Sequence, residues 1–230
     1  MIEIVTEEKR LEINKKFADN GVKFVDIKTA YIDQEVEIGT GTVIYPQVVI
    51  EGKSKIGQDC VIGMGSRIVD SQVGDRTDVQ NSVILESSVG EDTTVGPFAY
   101  MRPGSTVGNK CKVGDFVEIK NSNFGNGSKA AHLTYVGDSD VGENVNLGCG
   151  VVFVNFDGRE KTRSKVDDGA FIGCNSNLVS PVHVGSKAYI AAGSTVTDDV
   201  PADALYIARE RGSMKENWVS KKGILIRKKK

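Results

Sequence analysis

The sequence predicts an all-β protein in which one chain winds into a parallel β-helix, a prism-shaped coil of short strands. Three observations predict this fold. Aliphatic residues recur every six positions, glycine often follows the aliphatic residue, and the 230 residues include 26 glycines but only five prolines. Glycine without the Gly-X-Y period of collagen, together with 39% hydrophobic residues, is typical of a repeat protein and excludes a disordered chain.

The six-residue period is the main basis for the coil. A helix gives a period of about 3.6 and a half-buried strand a period of about 2, so six fits neither. Three hexapeptides, about 18 residues, would form one triangular turn whose aliphatic residues point inwards, and successive turns would stack as parallel strands about 4.8 Å apart. The positions in register are Ile32, Ile38, Ile44, Ile50, Ile56, Ile62, Ile68, Val73, Val79, Ile84, Val89, Val95, Met101, Val107, Val113, Ile119, Val141, Leu147, Phe153, Val166, Ile172, Leu178, Val184, Ile190 and Val196.

Departures from the period indicate corners and loops. One-residue slips predict shortened corners, and the register loosens between Ile119 and Val141. The largest break follows Phe153, so residues 154–165 are expected to form a loop extruded from the prism. The glycine after each aliphatic residue is expected near a turn, where it supplies a positive φ at little cost.

The two ends of the chain differ from the repeat. Residues 3–20 predict a polar amphipathic helix that ends at Asn20 and Gly21. The segment GILIRKKK at the other end predicts a short strand or arm with a solvated basic tail. The predicted units are an N-terminal linker helix (1–25), a β-helix domain of about nine turns (26–202) and a C-terminal arm with the basic tail (203–230).

Composition excludes several classes of partner. A net charge of -2 and a pI near 5.8 give no reason to expect nucleic acid or membrane as a partner. No apolar run approaches the roughly 20 residues of a membrane helix, and the N-terminus lacks a signal peptide, so a cytoplasmic location is expected. No two cysteines form a CxxC pair, so no metal site is expected: Cys60, Cys111, Cys149 and Cys174.

Polar residues that the repeat does not require concentrate between Arg102 and Lys161, and His132 is among them. An imidazole, with an ordinary pKa of about 6.5, can accept a proton from an ammonium nucleophile at neutral pH. Arginine and lysine suit a substrate phosphate, and a carboxylate such as Glu118 would hold the amine or orient the imidazole. This pattern predicts amine acylation, at a site on one prism or between packed prisms. His183 lies in an ordinary hexapeptide and is expected to face the surface.

Several segments closely resemble one enzyme family. The stretches GSKAAHLTYVGD, RPG, VEIK and NFDG followed by Lys161 are similar to the C-terminal acetyltransferase domain of bifunctional bacterial UDP-N-acetylglucosamine pyrophosphorylase/glucosamine-1-phosphate N-acetyltransferases, and the resemblance covers residues 9–218. It implies a left-handed hexapeptide-repeat β-helix, against the usual right-handed crossover rule, and a homotrimer with shared sites. It also implies acetyl transfer from acetyl-CoA to the amine of glucosamine 1-phosphate, without a metal, on the route to UDP-N-acetylglucosamine and the cell wall.

The resemblance implies roles for individual residues. His132 would be the general base, with Glu118 beside it. The implied sugar-phosphate ligands are Arg102, Lys120, Tyr135, Asn146 and Lys161. The positions implied to contact acetyl-CoA are Cys149, Asn155, Phe156, Cys174, Ala192 and Arg209. Three of these depart from the family pattern, since Phe156 replaces a tyrosine, Cys174 a serine and Cys149 an alanine; affinity for the donor is expected to shift.

Alternative functions remain at this stage. A γ-type carbonic anhydrase needs three zinc-binding histidines, and this chain has two. Another hexapeptide acyltransferase would keep His132 but would not require Arg102, Lys120 and Lys161, and a solenoid serving only for assembly would consume no acetyl-CoA. No glycine-rich nucleotide loop lies near the N-terminus, so no pyrophosphorylase activity is expected, and both an excised domain and a stand-alone enzyme remain possible.

Overall fold

The computed structural model describes residues 6–223, and most of the predicted C-terminal strand and basic tail lies outside them. The first element is helix α1, Glu7–Asp19, which begins where the Thr6 side chain accepts a hydrogen bond from the backbone N–H of Lys9. It ends at Asn20, as the sequence predicts. The buried Asn14 donates hydrogen bonds to the carbonyls of Ile27 and Ala30, so α1 is fixed against the first coil.

Thirty strands, most of two or three residues, follow α1. The first ten are β1 Lys23–Phe24, β2 Tyr31–Ile32, β3 Glu37–Ile38, β4 Val43–Ile44, β5 Val49–Glu51, β6 Lys55–Ile56, β7 Val61–Ile62, β8 Arg67–Val69, β9 Gln72–Val73 and β10 Asp78–Val79. The next ten are β11 Val83–Leu85, β12 Ser88–Val89, β13 Thr94–Val95, β14 Tyr100–Met101, β15 Thr106–Val107, β16 Lys112–Asp115, β17 Glu118–Lys120, β18 Asn123–Phe124, β19 Lys129–His132 and β20 Tyr135–Gly137. The last ten are β21 Ser139–Val141, β22 Asn146–Leu147, β23 Val152–Val154, β24 Ser164–Val166, β25 Phe171–Ile172, β26 Asn177–Val179, β27 His183–Val184, β28 Tyr189–Ile190, β29 Thr195–Val196 and β30 Leu205–Tyr206.

The strands form three parallel sheets, one on each face of a triangular prism. Sheet A has 11 strands, from β1 through β4 and β7 to β30; sheet B has ten, from β2 to β29; and sheet C has nine, from β3 to β27. Every third strand therefore pairs with its counterpart one coil away. The predicted fold class is confirmed: the chain is a left-handed parallel β-helix of about ten turns with a short N-terminal helix.

The interior of the prism is an aliphatic ladder. The residues of the six-residue register are buried, apart from Ile38, which is half-buried near one end. The register also continues where the sequence seemed loose, because Phe124, Ala130 and Val136 fill the interior positions between Ile119 and Val141. Burial of this continuous column supplies the main driving force for the fold.

Most of the glycines after the aliphatic residues have a different role from the predicted one, although Gly96 does have a positive φ. Gly39 and Gly173 have no positive φ. Instead, a Cβ built on Gly39 would lie 2.6 Å from the backbone of Gly57 on the next coil. Neighbouring coils are too close there for any side chain. Positive φ values occur nearer the corner centres, as at Asp70 and Asn81 in shortened corners.

The segment between β23 and β24 leaves the prism. It forms a small hairpin in which Phe156 bridges Lys161 in antiparallel fashion, and Asp157 accepts hydrogen bonds from the backbone N–H groups of Arg159 and Glu160. Near the C-terminus, β30 adds to sheet A and a short helix, α2, spans Trp218–Lys222. Within residues 6–223, neither helix is long and apolar enough to cross a bilayer.

Candidate active site

A histidine–aspartate pair lies at the corner between sheets A and B. His132 ends β19 and is in register with Asp115, which ends β16 one coil earlier. The imidazole Nδ1 lies 2.5 Å from Asp115 Oδ1. This hydrogen bond is the largest cause of the lowered pKa of Asp115, so the carboxylate is ionised at neutral pH and can only accept. Nδ1 therefore carries the proton, and in the neutral imidazole Nε2 has the free lone pair.

This pair can act on solvent-borne groups because it is open. The side chain of His132 is 56% exposed, and that of Asp115 is 38% exposed. A carboxylate that fixes the imidazole tautomer and stabilises the imidazolium is the arrangement of a general base. The structure places Asp115, and not Glu118, against the imidazole.

Two cationic side chains lie on the adjoining face, sheet B. The pairing of Met101 with Ile119 sets Arg102 and Lys120 one above the other on neighbouring coils. The Arg102 guanidinium donates to Glu118 Oε1 at 2.9 Å, and this hydrogen bond raises the pKa of Arg102. Arg102 and Glu118 are both partly exposed, so the pair is accessible to a ligand.

Lys120 is more enclosed than Arg102 because it is held by Asp138. Its ammonium donates to both carboxylate oxygens of Asp138, at 2.7 and 3.0 Å. Asp138 is 6% exposed and also accepts hydrogen bonds from the side-chain amides of Asn121 and Asn155. Burial raises the pKa of Asp138, but these three partners together outweigh burial and leave the pKa below its ordinary value.

Tyr135 lies beside this carboxylate. It is in register with Glu118 on sheet B, and its hydroxyl lies 3.4 Å from Asn155 Nδ2. A Cβ built on Gly137 would lie 2.4 Å from the hydroxyl oxygen of Tyr135. Only glycine at position 137 therefore lets the tyrosine ring lie over the strand.

The extruded hairpin is fastened at both ends where sheet B leads into sheet C. Asn155 reaches Asp138 at its start. Arg163 at its end donates to both oxygens of Asp140, at 2.6 and 2.7 Å, and to the carbonyls of Asn121 and Ser139. These contacts position the hairpin, whose exposed side chains include Phe156 and Lys161.

The remaining predicted site residues divide between two places. Asn146 lies on sheet A in register with Lys129, on a different face from Arg102. Beyond His132, a small residue occupies the same corner on each of the next three coils, as the registers of β22, β25 and β28 show. These residues form what we call the corner column: Cys149, Cys174 and Ala192. The Arg209 side chain closes this column by donating to the carbonyl of Ala192 at 2.8 Å.

Sequence reasoning missed Asp115, Asp138 and Arg163. A signal for Asp115 was present, since it lies 17 residues before His132, which is one coil with a shortened corner. Asp138 likewise lies one coil after Lys120 and Asn121, 18 and 17 residues away. The contacts of Asn155 and Arg163 depend on how the hairpin folds back, and no spacing shows that. Within residues 6–223, no group of three or more potential metal-ligating side chains is present.

Two family profiles match the repeat. "Bacterial transferase hexapeptide (six repeats)" matches residues 35–70 and 86–121, and "Hexapeptide repeat of succinyl-transferase" matches residues 165–198. These segments lie on either side of the coils that carry His132.

Curated relatives match almost the whole chain. "Bifunctional protein GlmU" of Clostridioides difficile (strain 630) is 57% identical over 213 residues, which is 93% of this chain and 46% of the relative. The protein of the same name from Acetivibrio thermocellus is 58% identical over 220 residues, 96% of this chain and 48% of the relative. The chain thus spans about half the length of the curated relatives it matches. Among solved structures, a UDP-N-acetylglucosamine acyltransferase from Campylobacter jejuni is 19% identical with a TM-score of 0.45, covering 80% of this chain and 70% of that one, a likeness too distant to bear on activity.

Proposed function

We propose that this chain, as a bacterial hexapeptide-repeat transferase, transfers an acetyl group from acetyl-CoA to the amine of glucosamine 1-phosphate. The observation that carries the proposal is the Asp115–His132 pair at an open corner beside a face that bears Arg102 and Lys120. Identity above 50% to the bifunctional relatives supports the same activity for this portion of their length.

His132 would be the base. Its Nε2 accepts a proton from the sugar ammonium, and the freed amine forms a C–N bond with the thioester carbonyl carbon while the C–S bond breaks. Asp115 stabilises the imidazolium formed in this step, because it remains ionised. The acylated nitrogen then loses a second proton, so that of the two protons one passes from His132 to the departing thiolate and the other to solvent, and no net charge is left on the protein.

The acceptor subsite would lie on sheet B. A sugar phosphate carries two negative charges, and the Arg102 guanidinium offers further N–H donors for it besides the one that binds Glu118. Lys120 adds a second cation at the same face, although Asp138 already neutralises it. We therefore assign Arg102 the larger direct role and Lys120 a supporting one, and Tyr135, Asn146 and Lys161 remain predicted ligands.

The donor subsite would follow the corner column. Acetyl-CoA supplies the activated thioester, and its thiol arm is narrow and extended. The small side chains of Cys149, Cys174 and Ala192 leave space for such an arm along the prism, and Arg209 at the far end offers a cation to its phosphates. Asn155 and Phe156 on the hairpin would complete this subsite.

We also propose a homotrimer in the cytoplasm. An apolar strip borders the catalytic corner: Phe98 and Phe116 stack with ring centroids 5.5 Å apart, and Leu133 follows on the next coil. All three side chains are more than half exposed in the single chain, which favours their burial between copies. Light scattering on the purified chain gives the number of copies.

A thiol-release assay tests the activity. Acetyl-CoA is combined with glucosamine 1-phosphate, glucosamine 6-phosphate or glucosamine, and free thiol is measured. We expect turnover with the 1-phosphate and little with the other two, because glucosamine lacks the phosphate that the cationic face would bind and the 6-phosphate carries it at a different position relative to the amine. A preference for another amino sugar would favour the second candidate, a related hexapeptide acyltransferase, and no turnover with any acceptor would favour the assembly role.

A further inference from the structure

Two of the four cysteines occupy the same position on adjacent coils. The pairing of Leu147 with Ile172 places Cys149 and Cys174 in register two residues further on. The backbone N–H of Asn175 donates to the carbonyl of Cys149 at 2.8 Å and holds this register through the corner. Parallel neighbours lie about 4.8 Å apart, which is inside the Cα separation of about 4.4–6.8 Å that a disulfide spans.

The side chain of Cys174 turns towards the coil of Cys149. A Cβ built on Gly148, the residue before Cys149, would lie only 3.0 Å from Cys174 Sγ. The sulfur therefore occupies space that exists because position 148 has no side chain. This places the Cys174 thiol on the side of its coil that faces the coil of Cys149.

The other two cysteines differ in every relevant respect. Cys60 and Cys111 are buried in the core, and each sulfur donates to a backbone carbonyl, of Gly74 and Gly125 respectively, at 3.1 Å. Burial raises the pKa of both thiols, which lowers their reactivity. By contrast, Cys174 is exposed and Cys149 half-buried. The protein therefore contains its own pair of unreactive control thiols.

We propose that Cys149 and Cys174 form a vicinal dithiol that hydrogen peroxide converts to an intrachain disulfide. The more exposed Cys174 thiolate attacks one peroxide oxygen, which yields a sulfenic acid and hydroxide. The Cys149 thiolate then attacks the sulfenic sulfur, the S–S bond forms, and a second hydroxide leaves. In total two thiols and one peroxide give one disulfide and two waters, and a dithiol reductant reverses the change.

The consequence for catalysis rests on the proposed function. Both cysteines lie in the column assigned to the acetyl-CoA thiol arm, directly after His132. A disulfide draws the two sulfurs together in that column and removes the space along which the arm would lie. Oxidation would therefore switch off acetyl transfer without unfolding the prism, whose core does not involve either side chain.

Intact-mass and peptide measurements on the full chain test the site independently of activity. After brief treatment with hydrogen peroxide, we expect the mass to fall by two hydrogen atoms and two thiols to remain titratable after unfolding. Trypsin cleaves after Arg159, Lys161, Arg163 and Lys165, so the peptides containing Cys149 and Cys174 stay joined only through the disulfide. Cys149→Ala and Cys174→Ser should each abolish the joined peptide while keeping the circular dichroism of the prism.

Activity is then compared for each protein with itself, before and after oxidant. We expect the unmodified chain to lose about tenfold or more of its acetyl transfer and to regain it with dithiothreitol, because misplaced donor contacts cost this much. Cys174→Ser, which lacks the attacking thiolate, should show no reversible loss, whereas Cys149→Ala should stop at the sulfenic acid of Cys174, which adds one oxygen atom to the mass and joins no peptides. An unchanged mass, a link between two chains, or a disulfide that leaves the rate unaltered would each overturn the inference. If the reduced chain transfers no acetyl group, the proposed function fails, whereas the joined peptide still decides whether the dithiol exists.

Discussion

The two histidines of the chain each pair with an aspartate on a neighbouring coil, and the two pairs differ in their surroundings. His132 uses Nδ1 to bind Asp115 and has no second carboxylate partner within the described residues. His183 uses Nε2 to bind Asp167 at 2.7 Å, and Asp167 is shared with Lys165 at 2.9 Å. The first pair lies at the corner between sheets A and B, where the small-residue column begins and next to the face that bears Arg102. The second lies on sheet C in a ladder of surface ion pairs.

This difference shows that a histidine–aspartate pair does not by itself make a catalytic site. Asp167 has its lowered pKa chiefly because of Lys165, so His183 is an additional partner in a surface network. Asp115 has its lowered pKa chiefly because of His132, so this carboxylate serves the imidazole. The same substitution can therefore be made in each pair, and its effects on acetyl transfer and on stability can be compared.

Removal of the proposed base gives the largest effect. We expect His132→Ala to lower the rate of acetyl transfer by about 10²–10⁴-fold, the usual contribution of a general base. The matched control is His183→Ala, which should stay within about twofold because it changes only a surface contact. Thiol release under saturating substrates measures both. Equal losses in the two variants would contradict the distinction between the pairs.

Substitution of the aspartates tests positioning. We expect Asp115→Asn to lower kcat by about tenfold to a hundredfold while the KM for acetyl-CoA changes little, because the imidazole loses its fixed tautomer but no donor contact. Asp167→Asn should leave both constants near their starting values. A rise in KM with unchanged kcat for Asp115→Asn would show that Asp115 acts in binding instead.

Asp138 provides a test of stability beside the first pair. We expect Asp138→Asn to lower the free energy of unfolding by about 1–3 kcal/mol at pH 7, because Lys120 and two amides lose a buried ionised partner. Since the pKa of Asp138 is lowered on folding, its contribution is present above its unfolded value of about 3.9 and is lost as pH falls through the folded value. The gap between the unmodified chain and the variant should therefore narrow below about pH 4. Urea unfolding at several pH values measures it, and a constant gap down to pH 2 would contradict this account.

The smallest effect is expected at the second pair. His183→Gln should change the free energy of unfolding by less than about 1 kcal/mol, since both side chains are partly exposed and Lys165 still holds Asp167. The change should shrink further as salt is added. Urea unfolding at low and high salt measures this, with Lys165→Gln as the companion variant. A loss as large as that of Asp138→Asn would mean that sheet C carries more electrostatic stabilisation than its exposure suggests.

Much of the fold followed from the repeat alone. Coil architecture and the inward residues were both visible as a six-residue period, and the one long break in it led to the expectation of an extruded loop. Two local interpretations needed revision. The register was expected to loosen between Ile119 and Val141, yet Phe124 and Ala130 fill the prism there. Gly39 looked like a turn glycine, whereas contact with the next coil excludes any side chain there.

The site was predictable in part. His132, Arg102 and Lys120 stood out as polar residues that the repeat does not require, and the segments around them resembled one enzyme family. Their partners did not stand out, because Asp115 and Asp138 occupy positions where a solenoid often carries a surface aspartate. Asp138 in particular has partners that are 17 or 18 residues away in either direction.

The sequence by itself determined the coil, because the six-residue spacing of aliphatic residues is written in the chain. The hydrophobic effect buries these residues in the same way on every coil. Tertiary structure decided which polar groups meet. Residues that stack on neighbouring coils are 18 positions apart in a full coil, 17 or 16 where corners are shortened and 25 across the extruded hairpin, so no fixed spacing identifies them. The pairings of His132 with Asp115 and of Cys149 with Cys174 depend on this register, which becomes fixed only when the coils stack.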